Sequence, residues 1–142
     1  MTIEQLLKRG SIVREASREQ EINELFKIVE RDLRDSSAKD ISYDWQFGIA
    51  YNAALKLATI LVRSHGYRVR ANGFHLITIK LIPILLGESY LDLSLHLEAC
   101  RQQRNEVEYE MIGGATQEMV FKLREIVEEF YPVIVAKCLP FD

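Results

Sequence analysis

A chain of 142 residues with 48% hydrophobic content has the length of one domain and enough apolar side chain for one core, so a single domain over residues 1–142 is expected. Its 18 Lys plus Arg against 21 Asp plus Glu give a net charge of −3, which argues against a global basic field for nucleic acid. Cys100 and Cys138 sit in apolar surroundings and read as reduced core residues, no metal-ligand spacing occurs, and no apolar run reaches about 18 residues, so the expectation is a cytoplasmic protein with no membrane span, metal or cofactor.

Thr2 with Gln5 has the form of a capping box, which predicts a short helix over Ile3–Arg9 closed by Gly10. Ser17 with Gln20 repeats the signature before Ile22, Leu25, Phe26, Val29 and Leu33, an amphipathic helix running to about Arg34, after which DSSAKD is a loop. From about Asp40 to His65, Ala50, Ala53, Ala54 and Ala58 alternate with Leu57 and Leu61 around a face led by Trp45. Small residues allow close approach of a neighbouring backbone, so this helix is expected at the centre, with Tyr43 and Trp45 as core aromatics and Gly66 as its stop.

Tyr67 to Asn72 reads as a basic connector. GFHLITIKLIPILLG has a β-rich composition but helical spacing at Phe74, Ile77, Leu81 and Ile84. A helix is expected because no partner strand is visible, with Pro83 kinking or shortening its end and Gly87 closing it. Ser89 with Asp92 starts a long helix to Ile112, with Leu93, Cys100 and Val107 recurring every seven residues, and Gly113-Gly114 ends it. Thr116 caps a final helix with Met119, Val120, Leu123, Ile126, Val127 and Phe130 along one side, interrupted at Pro132. The fold class is all-α, an up-and-down bundle of about five to six helices.

Two features point beyond folding. Between Trp45 and Gly87 there is no acidic residue, but Lys56, Arg63, Arg68, Arg70 and Lys80 give a local +5, leaving −8 for the remainder. This basic middle is either a face for an anion or acidic partner, or a set of intramolecular charge pairs. On the long helix, about 100° per residue gathers Arg101, Arg104, Asn105 and Glu108 on one arc beside the apolar stripe, with Tyr109 at its rim. The same residues could form ion pairs, Arg104 with Glu108 and Arg101 with Glu98, in a structural or dimer-interface network. Tyr51 and Asn52 can reach into the same cleft or bond a neighbouring backbone, and His96 is expected to be exposed or at an interface. No Gly-rich phosphate loop, nucleophile triad or metal motif is present.

The segment RQQRNEVEYE, preceded by DWQFGIAYNAALKLATILVRSHGYRVRANGFH, resembles the HEPN domain, in particular a small prokaryotic subgroup with an Arg-x-x-Arg-Asn-x-x-x-Tyr pattern on its late helix. The similarity runs from about Asp40 to Tyr131. It implies a helical bundle, usually a homodimer, whose long-helix polar residues face a shared cleft. Many members are metal-independent endoribonucleases, often toxins paired with a nucleotidyltransferase antitoxin; others bind nucleotides or are noncatalytic interaction modules. Catalytic members carry an arginine, a polar residue and then a histidine. By this resemblance Arg104 and Asn105 match the first two, and Tyr109 stands where the histidine would be. Tyrosine, with a reference pKa of about 10, is a neutral hydrogen-bond donor where imidazole would exchange protons. The catalytic set implied is Arg104, Asn105 and Tyr109, with Arg101 and His75 as substrate-binding residues. His75 is the candidate to take a 2′-hydroxyl proton; otherwise it is a structural helix-start histidine.

Overall fold

The computed structural model describes residues 1–70, 73–109 and 113–139, with residues 106–109 described by their backbone alone. Six α-helices pack together: α1 (Ile3–Lys8), α2 (Glu19–Asp35), α3 (Tyr43–Ser64), α4 (Phe74–Leu86), α5 (Leu91–Tyr109) and α6 (Gln117–Cys138). The all-helical bundle expected from the periodicity is thus observed, with one addition. Two three-residue strands, β1 (Ile12–Arg14) and β2 (Tyr67–Val69), pair antiparallel with Ile12 opposite Val69. The segment from Tyr67 to Val69, expected as a plain connector, is therefore the second strand of this small sheet. Three residues are too few to show an alternating pattern, and the partner lies more than fifty positions away.

The helix α3 is central, packing against α2, α4, α5 and α6. Ala50, Ala53, Ala54 and Ala58 are buried along it, as the small-residue stripe predicts. Ser42 caps it by accepting from the Trp45 amide at 3.2 Å. Trp45 and Tyr43 are not core residues: they are 66% and 43% exposed. Both lie in the first turn of α3, at the end of the bundle, and Phe47 is the first aromatic of this helix to enter the core. A smaller apolar cluster, Leu6, Ile12, Val62, Val69 and Leu81, seats α1 and the strands against α3 and α4.

The caps follow the sequence in some places and depart in others. The Thr2 box forms in both directions, with bonds of 3.0 and 3.1 Å, whereas Ser17 does not cap α2. Arg18 occupies that position without a side-chain bond. The entry to α2 is instead held by Arg63 of α3, whose guanidinium donates to the Glu15 and Ala16 carbonyls and to the Glu21 carboxylate. A 3-10 turn at Glu88–Tyr90 precedes α5, so the long helix starts at Leu91 and not at Ser89. Its expected end at Ile112 lies outside the described residues.

The two helix prolines explain a tertiary bond and a missing break. Pro83 has no amide hydrogen to offer the carbonyl four residues before it, Ile79, and the buried Ser94 hydroxyl of α5 donates to that carbonyl at 2.9 Å. Pro132 does not interrupt α6, which continues to Cys138. Pro132 and Glu128, whose carbonyl it leaves unpaired, are both exposed, so water can serve that carbonyl while Val127, Phe130 and Ile134 keep the helix packed. Cys100 and Cys138 are buried free thiols; burial pushes the Cys100 thiol up to about 11. Among the described residues no helix is long and apolar enough to cross a membrane, and no cluster of metal-ligating side chains occurs.

Candidate functional site

The polar arc of α5 meets α3 and α4 at Tyr51. This tyrosine is 1% exposed, and its hydroxyl lies 3.2 Å from Nδ1 of His75, in a hydrogen bond at the start of α4. The two rings are tilted by 34° with centroids 5.8 Å apart, and Phe74 packs edge-on to the imidazole with centroids 5.9 Å apart. Over the Tyr51 ring stands the Arg104 guanidinium, its carbon 5.6 Å from the centroid. That distance is a cation–π contact. Three separate helices thus bring an arginine and an imidazole onto one buried phenol. Burial raises the Tyr51 pKa, against the lowering effect of the Arg104 and Arg101 charges, so the phenol stays protonated at neutral pH.

The remaining sequence-derived site residues divide. His75, Arg104 and Asn105 are half-buried at this junction or on the same arc. Arg101 is held in a fork by Glu98, Nε at 2.9 Å and a terminal nitrogen at 2.7 Å, which is the intrahelical pairing anticipated for it. Arg101 holds Glu98 below the usual carboxylate range, with a smaller contribution from Lys80. A guanidinium engaged in this way meets a phosphate only in competition with its own carboxylate. The side chains of Glu108 and Tyr109 lie outside the described residues. His96 is exposed on α5, as expected.

Tyr51 is the residue whose weight the sequence understated. Of the two readings open for it, a backbone bond or reach into the cleft of the arc, Tyr51 takes the second, and its hydrogen-bond partner is a side chain on another helix. Asn52 likewise bonds a side chain, donating at 2.6 Å to the buried Asp32 of α2 and pointing away from the Tyr51 junction. The basic middle resolves in part as internal pairing. Arg63 and Arg68 both engage Glu21 and Glu15.

A separate cleft of about 710 Å³ lies between the α2–α3 loop and the start of α6, lined in part by Lys39, Tyr43, Gln46, Phe121 and Arg124. Among the described residues, none of the α5 arc borders it. Asp44 at its edge accepts from the Gly113 and Ala115 amides at 2.7 and 3.0 Å, which ties the loop after α5 to the start of α3. Comparison with protein-family models, with curated proteins and with solved structures finds no match.

Proposed function

We propose that this chain is a HEPN-type domain that binds RNA or nucleotide phosphate through Arg104 and Asn105 and acts as a metal-independent endoribonuclease of the toxin–antitoxin kind, with His75 as a substrate-binding group beside them. The observation that carries the reading is the convergence of Arg104 and His75 on Tyr51. A guanidinium supplies charge and paired donors for a phosphate, and an imidazole N–H adds a further donor. Arg101 contributes when a phosphate displaces it from Glu98, and a homodimer would set two arcs across one cleft.

The test is incubation of the purified protein with RNA, with and without EDTA, beside Arg104→Ala and His75→Gln. Cleavage that survives EDTA and is lost in both variants supports the proposal. Cleavage that persists in Arg104→Ala contradicts it.

A second reading is a noncatalytic module that dimerises or docks a nucleotidyltransferase-like partner. It is favoured by the bidentate Glu98–Arg101 pair and by Leu91 and Leu95, which are 47% and 60% exposed on the same helix. This reading predicts no cleavage, and association that weakens when Leu95 is replaced by Lys, measured by light scattering.

A further inference from the structure

Tyr51 makes two contacts with two parts of its side chain. The ring receives Arg104, and the hydroxyl meets Nδ1 of His75, its hydrogen-bond partner among the described residues. Either atom of that bond could in principle carry the hydrogen. If Nδ1–H donated to the phenol oxygen, the phenol hydrogen would be left in a buried position without an acceptor, an arrangement folded proteins avoid. A protonated phenol facing an imidazole satisfies both groups when the phenol donates. Among the described residues the titratable groups influencing the phenol, Arg104, Arg101, Glu98 and Cys100, come from α5, and burial outweighs them in keeping the proton on oxygen.

We propose that Tyr51 is a positioning residue with two separable roles: its hydroxyl donates to Nδ1 and fixes neutral His75 as the Nε2–H tautomer, while its ring face orients the Arg104 guanidinium. The first role has a chemical consequence. With Nδ1 committed as acceptor, the neutral imidazole presents N–H at Nε2, so toward an anion it is a hydrogen-bond donor and not the base that takes a 2′-hydroxyl proton. This narrows His75 within the phosphate-binding reading above, on which the functional half of the proposal rests; the tautomer does not depend on it.

The experiment has one arm without RNA and one with it. Long-range proton–nitrogen correlation spectra of 15N-labelled protein at pH 8, with His75 assigned through His75→Gln, should show Nε2–H and an Nδ1 resonance displaced by an accepted hydrogen bond. In Tyr51→Phe that displacement should vanish. A wild-type Nδ1–H tautomer, or an Nδ1 resonance unchanged in Tyr51→Phe, overturns the first role. For the second role, Arg104 side-chain protons should be shifted upfield by the Tyr51 ring current in the wild type, and ordinary positions overturn it whether or not any variant folds.

In the RNA arm, Tyr51→Phe should bind a single-stranded oligonucleotide within about twofold of wild type, while Tyr51→Leu should lose about threefold to tenfold, the range of one cation–π contact. Equal losses in the two variants overturn the separation of roles. If Arg104→Ala binds as tightly as wild type, the phosphate reading fails while the tautomer result stands by itself.

Discussion

Two arginines in this molecule sit at helix junctions and are held in opposite ways. Arg63, 3% exposed near the end of α3, donates to both oxygens of Glu21 and to the carbonyls of Glu15, Ala16 and Tyr67, so it joins α2, α3, β2 and the segment after β1. Arg104, half-buried on α5, lies over the face of a tyrosine whose hydroxyl reaches a histidine. Carboxylate and carbonyl partners engage guanidinium donors and fix backbone, whereas the Tyr51 contact is made between the cation and a ring face. The first arrangement ties backbone segments together, and the second gathers three helices at one phenol.

That contrast can be broken most easily at its strong end. Arg63→Leu removes a donor from three carbonyls and from Glu21, which keeps Arg68, and should cost about 3 kcal/mol, toward the lower part of the range for a buried ion pair because its acidic partners are partly exposed. Urea unfolding measures it, and a loss below about 1 kcal/mol would make Arg63 an ordinary surface cation.

The α4–α5 seam beside the candidate site offers a smaller effect. Ser94→Ala removes the donor for the Ile79 carbonyl and should cost about 1–2 kcal/mol. In a Pro83→Ala background, where an amide hydrogen becomes available to that carbonyl, the same substitution should cost markedly less. Additive losses in the double-mutant cycle would show that Ser94 is not compensating for the proline.

Acid should distinguish the Arg63 node further. Arg63 holds the Glu21 carboxyl below its ordinary value of 4.5, the bonded arginine outweighing desolvation. A carboxyl depressed in the folded state contributes stability in full above its unfolded value and loses it as pH falls through the folded one. The stability gap between wild type and Glu21→Gln should therefore narrow below about pH 4.5, read from urea midpoints between pH 6 and 3. A gap independent of pH would remove the ion pair from the account. Arg104→Ala should show the smallest change in stability, under about 1 kcal/mol.

What the sequence revealed depended on the range of the interaction. Helix positions came from local periodicity and caps, so α3 with its alanine stripe and α6 with Thr116 could be read directly. The two prolines could not be read alike. Pro132 faces solvent, where its unpaired carbonyl is harmless, and Pro83 is served by a serine eleven positions on; neither circumstance is visible in the local window. The β1–β2 pairing and the Arg63 node join residues more than forty positions apart, and both were missed as structures although the basic middle hinted at charge pairing. At the candidate site, helical spacing gave the α5 arc and the Arg101–Glu98 pair. It could not give Tyr51 as the meeting point of Arg104 and His75, because that depends on how three helices pack.

The most direct test of the central claim is RNA affinity as a function of salt, measured by fluorescence anisotropy with a labelled single-stranded oligonucleotide for wild type and Arg104→Ala. If Arg104 engages a phosphate, the wild type should bind more tightly, and the variant's slope of log affinity against log salt should be shallower by about 0.7, one phosphate contact on a single strand. Equal affinity and equal slope would contradict a phosphate site at Arg104.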